Sequence, residues 1–193
     1  ILHTNIETAP VVVETSARTD ASGSPVTLQS ARFAEPTLYA ELPEGQQSVV
    51  VHERLNPNDF RFSFNVTVAR NQRYSLLFFG DLDQLGTKAA LIQDVVPAEI
   101  GAGNVAVRVV HGLVGASGLD LSTNVGAVAS NVPFGAASEY RILPAGLTSI
   151  DVQRASDKRV VFRGGVSLEP GRAYSFVVGG EVDYLVTSTT YQD

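Results

Sequence analysis

The sequence predicts an all-β chain folded as two tandem β-sandwich domains, and three observations carry that prediction. The chain repeats itself once, its apolar residues alternate with period two, and turn residues punctuate it every 8–12 positions or so. The repeat is plainest between 37–54, TLYAELPEGQQSVVVHER, and 138–155, SEYRILPAGLTSIDVQRA. At an offset of 101, Phe33 matches Phe134, Tyr39 matches Tyr140, and Leu42-Pro43-x-Gly45 matches Leu143-Pro144-x-Gly146. At 100, Phe62, Val66 and Tyr74-Ser75 match Phe162, Val166 and Tyr174-Ser175; at 99, Gln93-Asp94 matches Gln192-Asp193. Near the start, Leu2-His3 lines up with Val110-His111. Two sandwiches follow, over residues 1–96 and 104–193, joined by a short linker at 97–103.

Each copy reads as strands from end to end. Leu38-Ala40-Leu42, Val49-Val51 and Phe60-Phe62-Phe64-Val66-Val68 alternate in the first copy, as do Ile150-Val152 and Val160-Phe162 in the second. Such alternation marks strands with one buried face. Pro43-Glu44-Gly45, Asn56-Pro57-Asn58, Pro144-Ala145-Gly146 and Pro170-Gly171 break them. No segment carries a helical period with caps. About seven short strands per copy indicate two packed sheets.

One motif sharpens this to an immunoglobulin-like or fibronectin-like sandwich. Leu168-Glu169-Pro170-Gly171-Arg172-Ala173-Tyr174 resembles a tyrosine corner, in which a Tyr hydroxyl turns back to an upstream backbone group. Val68 through Tyr74 is the weaker first version, with Asn71 where the second has Gly171. Asn tolerates a positive φ, so the same turn is available to it.

The second copy, from Val105 to about Gly180, resembles the bacterial family catalogued as domain of unknown function 4397. The residues that carry this are Val107-Arg108-Val109-Val110-His111, Ser130 through Gly135, Tyr140 through Gly146, and Leu168 through Tyr174. The first copy matches more loosely, through Leu2-His3, Glu7-Thr8-Ala9-Pro10 and Leu42-Pro43-Glu44-Gly45. The second copy departs from the family after His111, where Gly112 to Gly118 replaces the family's Pro-Asp-Ala-Pro-like turn. The resemblance implies tandem domains of secreted or surface-attached bacterial proteins and brings no established activity.

Composition narrows the chemistry. The 193 residues include no Cys, Met or Trp and have a formal charge of −6. Without cysteine there is no disulfide, thiol nucleophile or Cys-ligated metal. The acidic balance argues against nucleic acid, whose phosphates need a basic face. No apolar run approaches the roughly 20 residues of a spanning helix. Opening on Ile1 rather than Met, the chain reads as a processed product or a fragment.

No catalytic constellation, cofactor motif or metal set emerges. His3 and His111 are repeat-equivalent, which points to a domain-internal role such as a hydrogen bond that fixes the following loop. His52 lies opposite Val51 in its strand and is expected toward solvent. Asp81 and Asp83, mirrored by Glu181 and Asp183, offer calcium only part of its six to eight oxygen ligands, and a solvated turn is the plainer reading. There is no GxSxG elbow, GxGxxG loop or HExxH pair.

What remains is interaction. Ile1, Leu2 and His3 form a candidate interaction edge. Only Ile1 and Leu2 precede His3, whereas Asn104 to Val110 precede His111, so the first strand reads as four or five residues short. Upstream residues or a strand from a neighbouring molecule would complete it. Tyr184 and Tyr191, with no match in the first copy, are candidate platforms for a polymer; Tyr39, Tyr140, Tyr74 and Tyr174 fit core or corner roles. The sequence therefore predicts a non-enzymatic, extracellular or cell-surface module, the periplasm being the other compartment it allows. Its partners would be copies of itself or other surface proteins through strand edges and fibre assembly. The alternative is a polysaccharide-binding module, and a hydrolase comes a distant third.

Overall fold

The computed structural model describes residues 1–4, 10–19, 25–55, 61–80, 86, 88–182 and 185–192. The chain divides into two units, Ile1–Gln93 and Asp94–Asp193. Among the described residues every regular element is a strand, in the all-β arrangement of two-sheet sandwiches that the alternation predicts.

In the second unit the strands are β8 (Asn104–Val114), β9 (Gly118–Thr123), β10 (Gly126–Pro133), β11 (Arg141–Pro144), β12 (Gly146–Arg154), β13 (Val160–Leu168), β14 (Ala173–Glu181) and β15 (Leu185–Gln192). One sheet runs β10-β9-β12-β13 and the other β11-β8-β14-β15. Immunoglobulin constant-type domains divide four and three; here the split is four and four. The first strand lies parallel to the penultimate one, with Arg108 opposite Ser175 and His111 opposite Val178. Alternate residues of the two sheets meet in a core that includes Val105, Val107, Val109, Leu119, Leu121, Ile150, Val152, Phe176 and Val178. Burying such side chains contributes roughly 1.5–3 kcal/mol each, before chain entropy is set against it.

The first unit repeats the plan with β1 (Leu2–His3), β2 (Val11–Thr19), β3 (Pro25–Ala31), β4 (Gly45–Glu53), β5 (Arg61–Val68), β6 (Tyr74–Phe79) and β7 (Lys88–Gln93). Its sheets are β3-β2-β4-β5 and β1-β6-β7, again with the first strand parallel to the penultimate one. Val11, Val13, Val49, Val51, Val66, Val68 and Phe78 form its core.

One expected strand is missing. The Leu38-Ala40-Leu42 alternation forms no strand, although its counterpart is β11. Strand β11 exists because it pairs with Asn104–Val107 of β8. Strand β1 meets β6 only at Leu77 and Phe78, so it offers residues 40–43 no comparable edge.

Both tyrosine corners form. The Tyr174 hydroxyl accepts a hydrogen bond from the Glu169 backbone N–H at 3.0 Å, and Tyr74 does the same from Ala69 at 3.1 Å. Asn71 takes a φ of 59°, beside 78° for Gly171, so the Asn serves as the Gly does.

Candidate functional site

The histidines are structural. His111 lies inside β8 and is fully buried. Its Nδ1 accepts from the Leu113 N–H at 3.2 Å, which leaves the hydrogen on Nε2 to donate to the Ala116 carbonyl at 3.0 Å. The ring thus ties the strand end to the loop that follows, the role its recurrence predicts. Burial pushes its pKa down to about 4, with the Ala116 hydrogen bond opposing that shift. His111 also packs edge-on against Phe134, and His3 against the equivalent Phe33 and against Phe78. His52 is not turned out to solvent as the alternation suggests. It is 9% exposed, with Nδ1 at 2.9 Å from the Glu53 carbonyl and Nε2 at 3.5 Å from the Glu14 carboxylate.

The predicted interaction residues are placed as follows. Leu2 and His3 have buried side chains, and their backbone forms the outer strand of the β1-β6-β7 sheet. The Ile1 amino group donates to Thr37 Oγ1 at 2.8 Å. The Ile1 and His3 carbonyls accept from the Thr37 and Ala34 N–H groups at 3.1 and 2.9 Å, so the edge that Ile1, Leu2 and His3 present is one of main chain and is partly covered by residues 34–37. Tyr191 lies in β15, its side chain outside the described set. Tyr184, Asp81, Asp83 and Asp183, and with them the calcium pattern, lie outside the described residues. Among the described residues no three His, Asp or Glu side chains converge. Nor is any described helix long and apolar enough to cross a membrane. Tyr39 is 46% exposed under the Arg73 guanidinium, 5.8 Å from its ring centroid, rather than packed in the core.

Sequence reasoning missed the second unit's most connected polar group. Val105, Val107 and Val109 point into the core, so strand parity turns Arg108 to the outer face of its sheet. There Arg108 is nevertheless only 2% exposed. Its Nη2 pairs with the buried Asp94 carboxylate, Nε donates to Ser175 Oγ at 2.7 Å, and the guanidinium lies 4.8 Å from the Tyr140 centroid. The Arg163–Asp151 pair at 2.7 Å is exposed by contrast, and the hydrogen bond from Arg163 holds the Asp151 carboxyl below its usual range. These crossed pairs belong to a solvated sheet face.

A match between residues 105–193 and the family model described as Domain of unknown function (DUF4397) decides the kinship of the second unit. Residues 105–193 belong to the DUF4397 family. The first unit shares the second unit's motifs through the internal repeat. The chain matches no curated protein. Two solved structures are similar to it in outline. One is CBMbc, a family CBM26 module of Amy13K from Eubacterium rectale in complex with maltoheptaose; it is 10% identical, with 99% of this chain and 95% of that chain covered and a TM-score of 0.30. The other is a "putative cell adhesion protein" from Bacteroides fragilis, 10% identical over 95% of this chain and 83% of that chain, with a TM-score of 0.24. Both are too distant to bear on mechanism.

Proposed function

We propose that the chain is a non-enzymatic structural and adhesive module, working outside the cell or at its surface by strand pairing with copies of itself or with other surface proteins. The observation that carries this reading is the unequal sheet. The second unit has four strands where the first has β1-β6-β7, and residues 36–43, the counterpart of β11 and its approach, form no strand. Leu38 among them is 86% exposed. A sheet edge of this kind accepts an added strand through main-chain hydrogen bonds, with alternate side chains entering the sandwich.

A labelled peptide with the sequence Asn104–Val110 tests this. It should bind the full chain, and Ala40→Pro, which removes an N–H from a segment outside any ladder, should weaken binding without lowering stability. No binding at high peptide concentration would overturn the reading. Tyr39 favours a second reading, a module for a surface polysaccharide, because it is an exposed aromatic ring with a guanidinium at its face. A glycan array on which the chain binds nothing would remove that reading.

A further inference from the structure

Strand β13 is an edge that the second sandwich leaves unguarded. Among the described residues it pairs with β12 alone, at one end of the β10-β9-β12-β13 sheet. Folded proteins protect such edges with Pro, Lys, bulges or short strands, because a row of edge N–H and C=O groups invites another strand. The opposite edge, β10, is protected. Its register breaks between Ala127 and Ala129 and again between Ala129 and Val132, where Asn131 takes a φ of 50°. By contrast β13 runs nine residues with no Pro or Lys, and its register is unbroken from Phe162 to Leu168. Its one charge is drawn back from the edge, since Arg163 Nε and Nη2 donate to the Asp151 carboxylate of β12 at 2.7 and 2.8 Å.

The strand is also complementary to itself. Phe162, Gly164 and Val166 lie opposite the buried Val152, Ile150 and Thr148, so they share the inner face, and all three are half-buried. An antiparallel copy that pairs all nine residues sets Gly164 on the two-fold axis. Phe162 then faces Val166 of the second copy, an aromatic against a β-branched side chain, and Arg163 faces Gly165. Centring on Arg163 instead would oppose two guanidiniums, and a one-residue slip would set inner residues against outer ones. Nothing within the unit demands Gly165: the register is regular there, and an added Cβ would meet only the Thr148 carbonyl oxygen, at 3.9 Å. The first copy has Asn65 at this position. Such a glycine weakens a strand, but opposite Arg163 of a second copy it leaves the guanidinium room to keep Asp151. We propose that β13 is a homotypic docking edge. Two copies of the chain pair their β13 strands antiparallel about Gly164, joining two four-stranded sheets into one of eight. The contact presents the same patch from both copies and closes as a dimer, and it uses no part of the first unit's edge at residues 36–43.

Sedimentation velocity of the full chain carrying Ala40→Pro tests this joint apart from the first unit's edge. A monomer–dimer equilibrium should appear as concentration rises, with no larger species. Gly165→Lys, which sets a like charge opposite Arg163 in both halves of the joint, should weaken the dimer about tenfold. Gly165→Glu, of similar bulk and opposite charge, should leave it as tight or tighter. The chain has no cysteine of its own, so paired cysteines read the register. Arg163→Cys with Gly165→Cys should give a disulfide-linked dimer on mild oxidation, and Arg163→Cys with Ser167→Cys should not. A monomer at every concentration, or Lys and Glu variants that behave alike, would overturn the pairing. Equal cross-linking by the two cysteine pairs would overturn the register about Gly164.

Discussion

Acidification should weaken the second sandwich in a window set by one histidine. In the fold His111 is neutral: Nδ1 accepts from the Leu113 N–H, and Nε2 donates to the Ala116 carbonyl. A proton on Nδ1 would face an N–H donor inside a buried site. The folded pKa is accordingly about 4, against 6.5 for the free side chain. As pH falls below 6.5 the unfolded chain takes up a proton that the folded one refuses, so stability falls. Once pH passes about 4 the folded state binds the proton too, and the loss levels off. At about 1.4 kcal/mol per pKa unit, that gap corresponds to a full loss of about 3 kcal/mol. Urea unfolding followed by circular dichroism at pH 7.5, 6, 5 and 4 would read it, with His111→Gln as the comparison. That variant should be weaker at neutral pH yet lack this portion of the slope. His3 and His52 are common to both proteins and cancel in the difference. Asp120, Asp151 and Asp157, held below their ordinary value of 3.8, act at lower pH. An identical slope between pH 6.5 and 4 in the two proteins would refute the reasoning.

Two further perturbations separate contacts that hold the fold from those that decorate it. Tyr174→Phe removes the acceptor for the Glu169 N–H and should cost about 1 kcal/mol in the second unit; Tyr74→Phe should cost a similar amount in the first. Matching losses in urea titrations would confirm equivalent corners, and no change in either would contradict them. Arg163→Ala breaks an exposed pair with Asp151 and should leave the unfolding midpoint unchanged, whereas Arg108→Ala, which strands the buried Asp94, should cost about 3–5 kcal/mol. Equal effects from the two arginine variants would count against the contrast in burial.

Local chemistry made much of this fold legible. Alternation exposed the strands, and the Leu-Pro-x-Gly repeats marked turns whose Gly45 and Gly146 take φ of 109° and 119°. Asn71 against Gly171 showed that a corner could survive a change of residue. The parallel pairing of first and penultimate strands was not legible, because it joins segments far apart in sequence. The Arg108 pocket depends on it. Val107-Arg108-Val109 reads as a strand with its arginine in water, and only β14, Tyr140 and Asp94 together bury it. A trace was present, since Asp94, Tyr140 and Ser175 all sit at positions that recur. His52 deceived for a related reason: alternation gives the face, and Glu14 on the neighbouring strand, with the carbonyl of the adjacent Glu53, determines whether the ring is covered.

Sedimentation velocity of the full chain, from micromolar to millimolar concentration, tests most directly whether these sandwiches act by joining. The strand-edge account predicts species that grow with concentration, and Ala40→Pro should suppress them while the fold is kept. A single monomeric boundary at every concentration, the same for both proteins, would contradict assembly through copies of the chain.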